Sequence, residues 1–234
     1  MENAIVTGAS SGIGLAISRK LVEMGFNVFG LARDFAKCDF DGGHFERVEC
    51  DVTDWVAAAE VVARCVRAPG LLRVLVNNAG VGMFGPHETL DTNGIEEMVR
   101  VNLLAPMQLT AAALPALRQS RGYVINIAST AAFKPHRLGA AYAATKAGLV
   151  QFGRCLFDEV RKSGVRVTTV SPDMTATRFH DSAGFGPAED PDCHLEPECV
   201  ARAVESAITQ REQTVLSEII VVPQRVGIEH KKRT

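Results

Sequence analysis

Tyr142 and Lys146 stand four residues apart in Tyr142-Ala143-Ala144-Thr145-Lys146, inside an alanine-rich stretch of helical pattern. Residues at that spacing share a helix face, with Cβ atoms about 5–6 Å apart. A free phenol titrates at about pH 10, so shuttling its proton near neutrality requires its pKa to fall by about three, roughly 4 kcal/mol. One ammonium about 4 Å away, at an effective dielectric of about 20, supplies that much. Tyr142 therefore reads as a general acid or base, and Lys146 as the charge that tunes it. Such pairs also occur on helices by accident, so context decides. Ser129 follows the apolar run 123–127, and the ends of parallel strands are where open α/β sheets hold ligands. A hydroxyl there can hold a carbonyl oxygen while Tyr142 protonates it.

A second chemistry lies near the start, in Thr7-Gly8-Ala9-Ser10-Ser11-Gly12-Ile13-Gly14. Glycines let a backbone turn tightly against a pyrophosphate, and a helix opening there offers unpaired N–H groups and the positive end of its dipole. The spacing is G-x-x-x-G-x-G rather than G-x-G-x-x-G, and its place between first strand and first helix favours dinucleotide binding. The next apolar run ends in Ala32-Arg33-Asp34. An acid at that point would bond the 2′-hydroxyl of NAD, whereas an Arg accommodates the 2′-phosphate of NADP. Arg33 is thus expected to select NADP; the alternative is a surface arginine paired with Asp34.

These residues need a scaffold. Short apolar runs at 3–7, 27–32, 45–50, 72–76, 123–127, 166–170 and 218–222 alternate with helical patterns at 13–24, 55–67, 103–118, 141–162 and 197–209. Such alternation predicts βαβ units, hence a doubly wound, Rossmann-type α/β domain: a seven-stranded parallel sheet with helices on both faces. One domain is expected over 1–234, with 174–196, rich in glycine, proline and acids, as a substrate lid.

The hydrophobic fraction of 47% and charged fraction of 22% are those of a soluble globular protein. A net charge of -2 with no internal basic run argues against nucleic acid, and His230-Lys231-Lys232-Arg233-Thr234 reads as a solvated tail. No run approaches the ~20 apolar residues of a membrane span, and the N-terminus lacks the pattern of a signal peptide. Cys38, Cys50, Cys65, Cys155, Cys193 and Cys199 form no C-x-x-C pair and read as reduced thiols of a cytoplasmic protein rather than disulfides or metal ligands. His87, His136, His180 and His194 show no metal-ligand spacing either, and are expected to be satisfied or solvated.

Taken together, Thr7-Gly8-x-x-x-Gly12-x-Gly14, Asp51-Val52, Asn78-Ala79-Gly80, Asn102, Ser129, Tyr142-x-x-x-Lys146, and Pro172 with Thr177 resemble the classical short-chain dehydrogenases/reductases over nearly the whole chain. The resemblance implies a triad of Ser129, Tyr142 and Lys146, completed to a tetrad by Asn102 through a water-linked proton relay. It also implies Asp51 and Val52 at the adenine, Asn78 near the ribose, and Lys146 on the nicotinamide ribose. The remaining cofactor contacts implied are Gly8, Ser10, Ser11, Gly12, Ile13, Gly14, Arg33, Ala79, Gly80, Tyr142, Pro172 and Thr177. There are departures: Pro172-Asp173 replaces the family's usual Pro-Gly, and the ending 218–224 is similar to the 3-hydroxy acid and serine dehydrogenases.

The expected protein is an NADP(H)-dependent oxidoreductase acting on a small carbonyl or alcohol, assembled as a homodimer or homotetramer. An NAD-dependent alcohol dehydrogenase is the runner-up. A non-catalytic dinucleotide-binding regulator would have no reason to keep Tyr142, Lys146, Ser129 and Asn102 together. The extended epimerases and dehydratases resemble longer chains.

Overall fold

The computed structural model describes residues 1–181 and 183–230. Residue 182 and the basic ending 231–234, where a solvated tail is expected, lie outside the described residues.

Alternation at every second residue builds the sheet. In β1 (Asn3–Thr7) all five residues are buried. Ile5 points into one apolar layer, Ala4 and Val6 into the other. β1 is joined by β2 (Asn27–Ala32), β3 (Phe45–Glu49), β4 (Leu72–Asn77), β5 (Tyr123–Ile127), β6 (Arg166–Pro172) and β8 (Glu218–Val221). Their order is β3-β2-β1-β4-β5-β6-β8, and every neighbouring pair is parallel. Parallel neighbours require crossovers. On one face α1 (Gly12–Glu23) and α6 (Pro197–Ile208) bury Ile17, Leu21, Val200 and Val204. On the other, α2 (Trp55–Arg67), α4 (Ala105–Ser120) and α5 (Ala140–Val160) bury Val62, Leu109, Leu117 and Leu156. The chain winds outward from β1 in one direction and from β4 in the other, so a crevice opens where their C-terminal ends part.

Two regions depart from expectation. The helical stretch expected at 103–118 is longer: α3 (Thr92–Val99) runs through one π-helical turn, Arg100–Leu104, into α4. Gly94 in α3 and Pro106 at the start of α4 blur its sequence pattern. The expected lid is not a bare loop. It holds β7 (Phe185–Pro187), paired antiparallel with a ninth strand, β9 (Ile228–His230), and its base is closed by a bridge from Thr175 to Leu195. Each of these strands is three residues long, too short to show a period of two. Among the described residues no helix is long and apolar enough to cross a membrane.

Candidate active site

The crevice is a cleft of about 920 Å3, and it is lined by every residue expected to touch the cofactor. Its nucleotide half is made mainly of backbone. Gly8 and Gly12 take φ of 67° and 52°, the left-handed region that side chains disfavour. A Cβ on Gly14 would collide with the carbonyl of Gly8. The turn is latched to the exit of β4: the Thr7 hydroxyl accepts the N–H groups of Asn78 and Ala79, both at 2.9 Å. Asn78 Nδ2 in turn donates to the carbonyls of Thr7 (2.8 Å) and Gly8 (3.3 Å). The Asn78 amide thus holds the turn. Ser11, the N-cap of α1, is extended and makes no side-chain cap bond. The first-turn N–H groups are therefore available to an anion in the cleft, and the site fits a pyrophosphate.

Arg33 lines the cleft with its side chain 67% exposed, 3.7 Å from Glu97. Its expected alternative partner, Asp34, instead accepts the Ala36 N–H at 2.7 Å. Lys37, which sequence reasoning passed over, also lines this end. Asp51 accepts the Thr53 N–H and hydroxyl, both at 2.8 Å. The N–H bond is the largest influence holding its carboxyl below the usual range; burial opposes it, and Arg33 and Arg100 assist.

At the other end β5 delivers Ser129, whose hydroxyl accepts the Ala131 N–H at 3.1 Å and lines the cleft with Tyr142. Tyr142 and Lys146, on the same face of α5, are 8% and 4% exposed. Burial pushes the phenol up to about 12 against the pull of Ser129, and burial brings the ammonium down to about 8. Lys146, expected to tune Tyr142, is not among these influences on the phenol. Lys146 Nζ donates to the carbonyl of Ile127 at 2.9 Å and sits 5.9 Å from the centre of the Tyr142 ring. The helix spacing was right, but the long lysine side chain turns toward β5. The group that lowers the phenol here is the Ser129 hydroxyl.

Asn102 is fully buried in the π turn and does not line the cleft. Its Nδ2 donates to Val81 O at 2.8 Å and Thr145 Oγ1 at 3.1 Å, and its Oδ1 accepts the Val81 N–H at 2.9 Å. The side chain is thereby engaged in tying the π turn to the loop after β4 and to α5. Asp173, in place of the family's glycine, continues β6 by donating its N–H to Val221 O at 2.9 Å. Burial raises its carboxyl, but Lys134 at 3.1 Å, the Met174 N–H and the Thr130 hydroxyl outweigh it and hold the group ionised. Thr177 stands over the glycine turn: a Cβ on Gly12 would lie 3.0 Å from its methyl.

Sequence reasoning missed an aromatic wall. Phe84, from the loop after β4, lies 5.4 Å from the Tyr142 ring, 5.6 Å from His136 and 5.1 Å from Phe185, centre to centre. Phe179 lies 5.7 Å from Tyr142. His136 and His180, expected to be ordinary satisfied or solvated histidines, stand in this cluster and line the cleft. The available signal was a run of glycines beside aromatics: a Cβ on Gly82 would meet Phe179 and Phe84 at 2.8 Å.

A family model described as short chain dehydrogenase matches residues 2–184. A curated relative, an uncharacterized oxidoreductase of Staphylococcus epidermidis, is 31% identical over 225 residues, 94% of this chain and 96% of its own. An alcohol dehydrogenase from the archaeon Thermococcus sibiricus, complexed with 5-hydroxy-NADP, superposes with a TM-score of 0.87 at 25% identity, covering 97% of this chain and 99% of that one. The closed form of a serine dehydrogenase complexed with NADP+ gives 0.84 at 26% identity, covering 94% of each chain.

Proposed function

The chain belongs to the short chain dehydrogenase family, an oxidoreductase family that binds nicotinamide dinucleotides, and from that premise we propose that it is an NADP(H)-dependent carbonyl reductase or alcohol dehydrogenase. The observation that carries this reading is Ser129 and Tyr142 lining one end of the cleft beside the buried Lys146, with a glycine turn flanked by Arg33 at the other end. The nicotinamide, when bound, supplies or accepts the hydride. The protein supplies the proton and the geometry. Ser129 holds the carbonyl oxygen and Tyr142 donates to it; a phenol held at about 12 is protonated, the state a donor requires. Lys146, titrating at about 8, can exchange a proton near neutrality. Asn102, its amide engaged, keeps the loop after β4 against α5.

The NADP preference rests on Arg33 and on the absence of an acid at the end of β2. Structural neighbours complexed with 5-hydroxy-NADP and with NADP+ support it. Neutral ketones and aldehydes rank ahead of keto acids, because Lys134 is already held by Asp173. Arg137 and Arg178, exposed and lining the cleft, make an acid substrate the second reading. Residues 174–196 act as a lid over this end. The assembly is a homodimer or homotetramer packed through α4 and α5, where Ala111, Ala144 and Ala147 are exposed and small enough for close helix approach. A panel of carbonyl compounds with NADPH, followed by loss of its absorbance, tests the activity; no turnover across ketones, aldehydes and keto acids would refute it. Light scattering at micromolar concentration tests the assembly, and a monomer mass would refute that part.

A further inference from the structure

The far end of the chain returns to the substrate side of the cleft. Pro223, Val226, Gly227 and Ile228 line it. β9 pairs with β7 in the register Phe185↔His230, Gly186↔Glu229 and Pro187↔Ile228. The Arg225 N–H donates to the Asp192 carbonyl at 2.8 Å, and its guanidinium reaches Asp190 at 3.5 Å and Asp192 at 3.8 Å. Gly227 passes so close to Cys193 that a Cβ there would stand 2.6 Å from the sulfur. Strand pairing, ion pairs and a close approach therefore fasten this segment to the lid.

What it fastens is an aromatic surface. Phe185, on the strand it pairs, contacts Phe84 at 5.1 Å, and Phe84 contacts Tyr142 at 5.4 Å. The loops that bring these rings together are also tied: the Gly85 N–H donates to the Leu138 carbonyl at 2.8 Å. Leu138 takes a φ of 65°, a conformation disfavoured for a branched side chain, between His136 and α5. Strain of that kind persists where surrounding structure imposes it, often at ligand sites.

We propose that residues 223–230 are a wall of the substrate compartment, holding Phe185 on Phe84 beside Tyr142, and that the aromatic slot so completed selects carbonyl compounds bearing an aryl group. This deepens the carbonyl-reductase reading and rests on it. Ring-on-ring contacts of this geometry add to what apolar burial alone gives, by an amount equivalent to roughly a two- to tenfold preference per contact. Ile228 and Phe84, which line the cleft, are the specificity residues; Phe185 backs the Phe84 ring from outside the lining, and Arg225 positions the segment that holds it.

The test compares 1-phenyl-2-propanone with 1-cyclohexyl-2-propanone, whose reacting carbonyls match and whose rings differ in aromaticity. The full-length protein with NADPH should favour the phenyl compound in kcat/KM by about five- to tenfold. Phe185→Leu should reduce that ratio toward one. Ile228→Ala and Arg225→Ala should raise KM for the phenyl ketone several-fold, with kcat changing less, and leave the Kd of NADPH, read by its fluorescence, within about twofold. A chain ending at Val222 should show the largest loss; the point variants read the same ratio if that chain does not fold. Equal use of both ketones by the parent, neither ketone being reduced while other carbonyls are, or an unchanged ratio in Phe185→Leu and Ile228→Ala would each overturn the proposal. Absence of turnover with every carbonyl is instead the failure of the carbonyl-reductase reading. Hydrogen exchange without substrate then decides the wall: Arg225→Ala should speed exchange across β7, and unaltered rates there would overturn it.

Discussion

The two halves of the cleft are built by different means. The nucleotide half is made of backbone: left-handed glycines, a helix N-terminus, and Thr7 and Asn78 spending their polar atoms on holding the turn. The substrate half is made of side chains from loops far apart in sequence: Phe84 and Phe179 pack on Tyr142, with His136 and Phe185 packed on Phe84. Backbone sites tolerate little variation, because each glycine answers a steric demand that no other residue meets. A side-chain site can change its ligand by one substitution. The first half can serve one cofactor while the second is free to diversify.

If that division holds, changes in one half should leave the other's ligand nearly untouched. Tyr142→Phe is the sharpest case. It removes the proton donor and should cut kcat/KM for any active carbonyl by about 10²- to 10⁴-fold, with NADPH affinity nearly intact. Turnover within a few-fold of the parent would end the assignment. Arg33→Asp works from the other half. It deletes a charge-assisted bond to phosphate and adds a repulsive carboxylate, so the Kd of NADPH should rise about 10- to 100-fold while that of NADH stays within about threefold. Equal affinity of the unmutated protein for both cofactors would remove the basis for NADP selection.

Lys146 joins the halves, and its cost should be measurable. Its pKa falls from 10.5 unfolded to about 8 folded, so at neutral pH its burial costs on the order of 3 kcal/mol. Between about pH 8 and 10.5 the unfolded chain binds the proton that the folded one has released, so this residue makes stability rise with pH across that window. Burial of the Cys65 thiol, pushed up from 9.0 to about 12, and of Tyr142 acts in the opposite sense above about pH 9. Lys146→Met also loses the bond to Ile127, worth about 1 kcal/mol. The cofactor-free variant should then be about 1–2 kcal/mol more stable than the parent at pH 7, with that advantage gone by about pH 10.5. Urea titrations at several pH values check this; a constant difference across the range would contradict it. The smallest effect concerns the lid: NADPH with a substrate analogue should slow hydrogen exchange across 183–196 several-fold. Unchanged protection would mean a fixed wall and no moving cover.

The contrast also explains what the sequence made legible. Strands β1, β2, β4 and β5 and helix α2 stand out because buried periodicity is a local property, and the glycine turn because its spacing is. The Tyr142/Lys146 pair was visible from helix geometry, yet the direction taken by the lysine was not, since that depends on the Ile127 carbonyl across the fold. Asp173 stood out as a departure, but its bond to Lys134 joins two loops. The β7–β9 ribbon and the ring cluster left no periodic trace, because tertiary contact alone assembles them.

Chain order turns the same division into an engineering boundary. The glycine turn, Arg33, Asp51 and Asn78 all precede residue 100, whereas the lid, α6, β8 and the returning end follow β6. A graft of residues 174–230 onto a homologous scaffold would carry the lid, Phe179, Phe185 and the returning end as one cassette, leaving Phe84, His136, Tyr142 and all of the nucleotide pocket but Thr177 to the recipient. The seam to match is where α6 meets α1: Val200, Ala201 and Val204 share a core with Ile17 and Leu21, Lys20 faces Glu205 at 3.8 Å, and the Tyr123 hydroxyl donates to Ile208 O at 3.0 Å. Chimeras that carry those contacts across the junction should inherit a foreign substrate range, and those that break them should lose the fold before they lose the cofactor.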